Sequence, residues 1–194
     1  MTITETKMDG RRLRRAGNRE RIYEAAMLLL EDSSFDAVSI DDVCAKAGVG
    51  RATFFRIYKT KSGLLLEFNR RLAERAQQRL NAVDPNCSKE ALYLVGEEIA
   101  NAWIEVSPSA TALAVDFSRS LTLADAHQAH PELFTLVTLI IERGIESGEL
   151  RATFPPDFQG SLALVYMAAA ATLWFEDTEQ DLNLLIREAI GNWL

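Results

Sequence analysis

Residues 39–61, SIDDVCAKAGVGRATFFRIYKTK, contain two short segments with the spacing of helices. In the first segment the apolar residues recur every three or four positions, as on one face of a helix. These residues are Ile40, Val43, Cys44 and Ala47. Ser39 and Asp42 stand three residues apart, the spacing of a capping box that satisfies the amides of a first helical turn. Gly48 can adopt the left-handed conformation that ends a helix, so the stretch predicts a helix-turn-helix.

The second segment has the side chains expected of a helix that contacts DNA. It is predicted to run from about Gly50 to Tyr58. In a helix-turn-helix the second helix enters the major groove, which is about 12 Å wide and admits one α-helix. Plain helical packing would not require the donors that this segment and its flank supply. Those donors are Arg51, Thr53, Arg56, Lys59 and Lys61.

The charge of the chain is divided unevenly along its length. The net charge of −7 alone argues against a nucleic-acid partner. Residues 1–80, however, contain 16 Lys and Arg against 11 Asp and Glu, whereas residues 81–194 contain 5 against 17. A basic front part is the one expected to meet a polyanion. A polar arm is predicted at residues 1–17, and it could enter the minor groove of a bound DNA duplex or remain a solvated tail. Its basic cluster consists of Arg11, Arg12, Arg14 and Arg15.

Apolar residues recur at helical spacing through almost the whole chain, and no segment requires a strand. With 48% hydrophobic residues the chain can bury a core, so we predict an all-α fold. Asn18 is the expected N-cap of the first helix. The predicted domains are the arm at residues 1–17, a three-helix helix-turn-helix domain at 18–62 and a helical domain at 63–194. Helices are predicted at residues 18–31, 40–46, 50–58, 61–83, 89–106, 109–123, 131–147, 157–175 and 179–193.

Cysteine usage and hydropathy indicate the compartment. Cys44 and Cys87 do not form a C-x-x-C pair, so we expect reduced thiols rather than a disulfide or a zinc site. The first 21 residues are polar and basic, unlike a signal peptide. The most apolar stretch, residues 162–175, is shorter than the ~20 residues that cross a bilayer. We therefore expect a cytoplasmic protein with no membrane partner.

Residues 35–61, FDAVSIDDVCAKAGVGRATFFRIYKTK, resemble the TetR family of transcriptional regulators. The resemblance lies in the capped helix, the Ala-Gly-Val turn, the second helix ending in aromatic residues and the Lys61 that follows, and it extends over about residues 18–66. It implies an all-α fold with an N-terminal three-helix helix-turn-helix DNA-binding domain and a C-terminal helical ligand-binding and dimerisation domain. It implies neither catalytic residues nor a cofactor, so we do not expect an enzyme.

The resemblance also implies which residues contact DNA. Arg51 and Ala52 would face base edges, whereas Thr53 and Lys61 would hold phosphates, Lys61 at a helix N-terminus that also favours an anion. The full set of expected contacts is Ser39, Gly50, Arg51, Ala52, Thr53, Phe55, Arg56, Tyr58, Lys59 and Lys61. The family usually has Ser, Tyr, and His or Tyr where this sequence has Gly50, Phe55 and Ile57.

The last two predicted helices are unusually apolar. Both could be core, but in a chain this short two broad apolar helices suggest a four-helix interface between two copies of the chain. A homodimer would place two recognition helices in successive major grooves of a pseudo-palindromic operator. The residues concerned are Leu162, Val165, Ala169, Thr172 and Leu173 in one helix and Leu182, Leu185, Ile186, Ala189, Ile190 and Trp193 in the other.

A ligand pocket in the helical domain is a further prediction. Large residues spread over several helices are core first, and they could also line a pocket for an apolar or aromatic effector. The scarcity of cations after residue 80 disfavours a strongly anionic ligand, unless Arg119 is buried in the pocket. The candidate lining residues are Tyr93, Trp103, Phe117, Phe134, Met167 and Trp174.

Three functions remain open at this point. The favoured one is a ligand-responsive dimeric transcriptional repressor that a small hydrophobic effector releases from double-stranded DNA. The alternative is a DNA-binding regulator with no small-molecule ligand. A helical-bundle metalloenzyme is a distant third: His127 and His130 have i, i+3 spacing, but no Glu-x-x-His motif or phosphate-binding loop accompanies them. We therefore predict no metal site.

Overall fold

A computed structural model describes residues 3–31, 33–106 and 130–192 of the chain. Within these ranges the regular structure is entirely helical, which confirms the predicted all-α class. Cys44 and Cys87 form no disulfide. The helices are α1 (Ile3–Leu30), α2 (Ile40–Ala47), α3 (Arg51–Tyr58), α4 (Gly63–Leu80), α5 (Ser88–Val106), α6 (Pro131–Glu146), α7 (Pro156–Glu176) and α8 (Leu182–Gly191).

Helix α1 is much longer than predicted. It begins at Ile3, so the predicted arm is helical and Asn18 is not an N-cap. Instead, the Asn18 side-chain oxygen accepts a hydrogen bond from Arg21 Nη2 at 2.6 Å, inside the helix. The residues before Asn18 contain no proline and are rich in long side chains that favour a helix, so α1 continues through them.

The other helix boundaries differ from the prediction by three residues or fewer. Helix α8 begins at Leu182 rather than 179, because the Asp181 carboxylate caps it by accepting hydrogen bonds from the amides of Asn183 and Leu184 at 2.9 and 3.2 Å. The helix predicted at residues 109–123 lies outside the described residues.

The chain forms two compact units, Met1–Glu67 and Phe68–Leu194, and their boundary falls inside α4. In the first unit α1 packs against α2 and α3. Each helix contributes one apolar face, and the connection between α1 and α2 adds two more side chains. The buried residues are Ile22, Ala25, Ala26, Leu30, Phe35, Val38, Val43, Cys44, Ala47, Phe54, Ile57 and Tyr58.

In the second unit α7 packs against α6 and α8, and both of those helices also pack against α5. Among the described helices α7 alone is long and apolar enough to cross a membrane, but half of its most apolar stretch is buried in the structure, as in a core helix. In α8 the prediction of an intermolecular face is wrong for Leu182, Ile186 and Ile190. These side chains are buried within the subunit, and two of them lie beside Gly96 of α5.

A charged cluster joins the second half of α4 to α5. The buried carboxylate of Glu98 accepts a hydrogen bond from Arg79 Nη1 at 2.6 Å and pairs with Arg75 Nε at 3.2 Å. Arg79 also reaches Glu97, and Arg75 reaches Glu105. Because Glu98 is removed from water, loss of either arginine would leave a buried charge only partly compensated. The cluster therefore holds α4 against α5 in this unit.

The start of α4 requires a residue without a side chain. A Cβ atom at Gly63 would overlap the carbonyl oxygen of Tyr58, the last residue of α3. The obstacle is backbone, which cannot rotate away as a side chain can. Gly63 therefore permits the tight passage from α3 into α4.

We expect Gly63→Ala to destabilise the protein by about 1–3 kcal/mol, because the added methyl group must displace the backbone at Tyr58. Urea denaturation followed by circular dichroism measures this change. Gly17→Ala is the matched control, since Gly17 lies in exposed α1 with no atom near its missing Cβ. The control should be neutral or stabilising by up to about 1 kcal/mol. Equal effects of the two substitutions would contradict the steric argument.

Candidate functional site

The turn between α2 and α3 sets the direction of the second helix. Ser39 caps α2: its hydroxyl accepts a hydrogen bond from the Asp42 amide at 3.1 Å, and its own amide donates to the Asp42 carboxylate at 2.9 Å. Hydrogen bonds from the Ser39 hydroxyl and then from its amide lower the pKa of Asp42 below the ordinary value. This is the capping box that the sequence predicts.

Gly48 ends α2 in the left-handed conformation, with φ 62° and ψ 41°. Its amide donates to the Ala45 carbonyl at 3.3 Å, and the Val49 amide donates to the Cys44 carbonyl at 3.0 Å. Gly50 then returns to an extended conformation and caps α3 without a side-chain hydrogen bond. The predicted turn chemistry is confirmed, because only the one glycine takes a positive φ there.

Helix α3 has one buried face and one exposed face. Phe54, Ile57 and Tyr58 are buried and attach the helix to the core. The opposite side chains are free to meet another molecule, and Thr53 is half-buried at the edge between the two faces. The exposed residues are Arg51, Ala52, Phe55 and Arg56.

Arg51 is held on the surface by two neighbours. Its guanidinium forms an ion pair with Asp41 of α2 and lies 5.7 Å from the centre of the Phe55 ring. Both partners of the ion pair are more than half exposed, so the pair contributes little stability in water. Arg51 can therefore exchange Asp41 for a stronger acceptor, such as a phosphate or a guanine edge, at little cost.

The corner after α3 presents two further cations. Lys59 is exposed and has a positive φ of 59°, and it ends α3 through the hydrogen bond from its amide to the Phe55 carbonyl at 3.1 Å. Lys61 lies two residues before α4, so it is at the start of a helix, where the sequence predicts it to be. Its ammonium group is 4.5 Å from the centre of the Phe35 ring and 3.4 Å from the Asp36 carbonyl oxygen. The corner thus extends the basic surface of α3.

Two residues that were expected to contact DNA, Tyr58 and Ser39, are engaged in contacts within the chain. Tyr58 is only 6% exposed, and its hydroxyl donates to the Arg19 carbonyl at 3.0 Å, so it is a core residue rather than a DNA contact. Ser39 is exposed, but its single hydroxyl proton already binds Asp42 at 2.5 Å. Since phosphate oxygens only accept hydrogen bonds, the Ser39 hydroxyl could donate to one only by giving up its hydrogen bond to the Asp42 carboxylate.

Arg19 was not predicted to matter, yet it connects three parts of the first unit. Its guanidinium binds the buried Glu67 carboxylate at 3.0 Å and lies 5.9 Å from the centre of the Tyr58 ring. Arg19 and Glu67 are 48 residues apart, so no local pattern could have paired them. The ion pair between Arg51 and Asp41 was missed for the same reason.

A recess in the second unit is lined almost entirely by apolar side chains from α4, α5, α6 and α7. The cavity within the recess has a volume of about 30 Å³. This space admits roughly two water molecules as it stands. The lining residues are Phe68, Asn69, Leu72, Ile99, Trp103, His130, Leu133, Leu164, Met167, Ala168, Ala171, Thr172 and Phe175.

Of the six predicted lining residues, Trp103 and Met167 line this recess. Tyr93 stacks under Arg187 of α8, with the guanidinium 4.3 Å from its ring centre. The Trp174 indole donates to the Gln180 carbonyl at 3.1 Å. Phe134 is half-buried in α6 and is not among the described lining residues, and Phe117 lies outside the described part of the chain.

Polar groups enter the recess at three points, Asn69, His130 and Thr172. Burial lowers the pKa of His130 to about 4, so its imidazole is neutral near pH 7. Asn69 is also buried. No lysine or arginine is among the lining residues that the structure describes. The recess therefore suits an apolar molecule with a neutral hydrogen-bonding group. The second histidine of the considered metal pair, His127, lies outside the described residues.

Comparison with known proteins places this geometry in a family. Residues 22–68 match the profile of the bacterial regulatory proteins of the tetR family. No curated protein matches the chain. The matched residues include all of α2 and α3, the last nine residues of α1 and the start of α4.

Solved structures share the fold over nearly the whole chain. FadR from Thermus thermophilus, a TetR-family transcriptional repressor in complex with lauroyl-CoA, has a TM-score of 0.66 and 25% identity, over 90% of this chain and 92% of its own. FadR from Bacillus subtilis, in complex with stearoyl-CoA, has a TM-score of 0.64 and 18% identity, over 90% and 97%. A TetR-family regulator from Syntrophomonas wolfei has a TM-score of 0.67 and 16% identity, over 91% and 92%.

The predicted family resemblance is thus confirmed by two independent findings. The profile covers the helix-turn-helix, and the structural likeness covers both units. The likeness to the TetR family of bacterial regulatory proteins is therefore one of sequence over residues 22–68 and one of fold over most of the chain.

Proposed function

We propose that this protein is a homodimeric transcriptional repressor that binds a pseudo-palindromic operator in double-stranded DNA. A small hydrophobic effector in the recess of the second unit releases it. The observation that carries the proposal is the exposed basic face of α3, within the residues that match the tetR family. A helix of this kind reads base edges, and the family is one of transcription factors rather than enzymes. We place the protein in the cytoplasm, where the DNA is.

The DNA contacts follow from exposure and charge. Arg51 would read bases from the first turn of α3, with Ala52 against a thymine methyl group. Thr53, Arg56, Lys59 and Lys61 would bind phosphates along the same edge. Gly50 would let the DNA backbone approach the amides at the start of α3, and the exposed Phe55 keeps Arg51 extended by contact with its ring.

The dimer interface is proposed to form on the outer face of α7. Exposed or half-buried apolar residues recur there every three or four positions over about 22 Å of helix, while the other face of α7 fills the subunit core. A continuous apolar stripe of this length is typical of a surface that another protein covers. A second copy is the proposed occupant, because α3 then appears twice on one duplex. The stripe consists of Phe158, Leu162, Val165, Tyr166, Ala169 and Leu173.

The effector is proposed to carry a fatty acyl chain. The recess is apolar, and the two FadR structures that share this fold contain lauroyl-CoA and stearoyl-CoA. An acyl chain is far larger than the two water molecules that the recess admits, so we expect its binding to move the walls of the recess. Phe68, Asn69 and Leu72 form one of those walls and belong to α4, the helix that follows α3. Effector binding would thus select a different position of α4, and through it of α3.

A regulator without a ligand remains the alternative function. It would keep the DNA surface of α3 and use the recess only as a loosely packed part of the core. Release of DNA by a small molecule distinguishes the two possibilities.

We expect the purified protein to select a pseudo-palindrome from a random pool of DNA duplexes. Arg51→Ala should lose about 1–3 kcal/mol of discrimination at the position it reads, whereas Lys61→Ala should weaken all sequences alike and lower the salt slope of log K by about one. Fluorescence anisotropy at several salt concentrations measures both effects. Arg151→Ala, an exposed arginine of the second unit, is the charge-matched control and should behave as wild type. Failure of the wild type to bind any duplex at low salt would refute the proposal.

We expect Leu173→Arg to convert the dimer into a monomer, because a charge buried in an apolar interface cannot be solvated there. Leu173 is 57% exposed in the single chain, so the folded subunit should keep its helicity. Sedimentation equilibrium measures the mass and circular dichroism the helicity. Leu139→Arg, which alters a 43% exposed leucine of α6, is the control and should remain dimeric. A wild-type protein that sediments as a monomer would rule out this interface.

We expect lauroyl-CoA or stearoyl-CoA to dissociate the complex of the protein with its selected duplex. Ala168→Phe should occupy the recess and raise the effector concentration needed for release by at least about tenfold. Ala152→Leu, an exposed position outside the recess, is the control. Anisotropy competition gives the effector concentration, and thermal denaturation reports direct binding. If neither acyl-CoA releases DNA or stabilises the protein, the acyl class is wrong.

A further inference from the structure

Helix α1 extends far beyond the core that it helps to form. Among the side chains of α1 that the structure describes, the first buried one is Ile22, whereas the helix begins at Ile3, roughly five turns earlier. Residues 12–17 are all exposed. The family profile begins only at residue 22, so this extension lies outside the part of the chain that the profile covers.

The extension carries a concentrated positive charge. Between Asp9 and Glu20 the sequence contains five arginines and no acidic residue. Arginines one helical turn apart repel each other, which disfavours this arrangement unless an anion compensates it. The side chains of Arg12 and Arg15 are exposed. Arg14 Nε donates a hydrogen bond to the Gly10 carbonyl oxygen at 3.0 Å.

Three of these arginines lie on the same face of α1. Arg12, Arg15 and Arg19 are three and four residues apart, so they lie on one face of α1. The same spacing continues through the core positions, so that the arginines share the side of α1 that packs against α2 and α3. Those core positions are Ile22, Ala26 and Leu30.

Arg19 lies on this face between the exposed arginines and the buried core positions. Its carbonyl oxygen accepts the hydroxyl hydrogen bond of Tyr58, the last residue of the recognition helix, and its guanidinium is paired with Glu67. Arg12 lies seven residues earlier, which is about 10 Å further along the helix axis. The basic face therefore begins beside the end of α3 and continues outward from it.

We propose that Arg12 and Arg15 of α1 bind backbone phosphates of duplex DNA that flanks the operator. The proposal rests on the proposed DNA-binding function and extends its contact surface. A helix with its side chains is about 10–12 Å wide, whereas the minor groove is about 6 Å wide, so the extension cannot enter that groove as a flexible arm would. Its contacts are therefore with phosphates and are independent of sequence.

The test uses the duplex that the wild type selects, prepared in two lengths with the same centre. One duplex ends at the selected sequence, and the other adds 12 base pairs of unrelated sequence on each side. On the long duplex, Arg12→Ala/Arg15→Ala should lower the salt slope of log K by about 1.8 for each bound subunit. On the short duplex the double variant should match the wild type. Lys89→Ala/Arg151→Ala removes the same charge from exposed positions of the second unit and should keep the wild-type slope on both.

A proline variant tests whether the extension acts as a helix. Ala16→Pro breaks α1 between the basic face and the core, so it should lose the same slope as the double variant and keep the wild-type thermal midpoint. A full wild-type slope for Ala16→Pro would overturn the helical contact. A dependence on whether the flanks are A·T or G·C would also overturn it, because that dependence indicates a minor-groove arm.

The outcomes separate this inference from the proposed function. If the wild type selects no duplex, the proposed function fails. If the wild type selects one and the Arg12→Ala/Arg15→Ala slope equals the wild-type slope on the long duplex, only the flanking contact fails. A different result would assign the basic face to a membrane. In that case the wild type, but not the double variant, sediments with phosphatidylglycerol vesicles, and the two proteins have equal salt slopes on the long duplex.

Discussion

The burial of one face of α3 is the constraint on which the DNA surface depends. An isolated helix of eight residues is unstable in water, so α3 exists because Phe54, Ile57 and Tyr58 are packed against the first unit. Their burial determines which side chains remain outside. Arg51 and Arg56 are exposed because they occupy the opposite face, and the left-handed turn at Gly48 sets the angle at which that face is presented.

Helix α4 is the element through which the two proposed activities can be connected. At its start Gly63 lies against the backbone of Tyr58, and further on Phe68, Asn69 and Leu72 line the recess. Beyond the recess, Arg75 and Arg79 hold the helix to the buried Glu98 of α5. The hydrogen bonds of a helix keep it rigid, and the proposed coupling of effector and DNA depends on this property of α4.

The second unit is closely packed, yet it has an apolar recess and an apolar stripe on the outer face of α7. Helix α7 fills the core on one side, lines the recess with Met167 and exposes a stripe that includes Leu173 on another side. The enclosed volume of the recess is small, which is expected of an interior packed at the density of an organic crystal. Ligand binding in such an interior requires a change between discrete arrangements of helices rather than gradual expansion.

The sequence by itself determined the helical class, the helix-turn-helix and the basic half of the chain. These depend on local chemistry: the spacing of Ser39 and Asp42, the conformational freedom of Gly48 and the three-to-four residue recurrence of apolar side chains. It assigned Tyr93, Trp103, Met167 and Trp174 alike to a pocket, and of these four only Trp103 and Met167 line the recess, since every large core residue has the same periodicity. Only the tertiary structure decided that Tyr58 is buried under Arg19, that α8 turns Ile186 inward and that Arg51 pairs with Asp41. Such contacts join residues on different helices, and the relative rotation of two packed helices is set by the whole core rather than by either sequence alone.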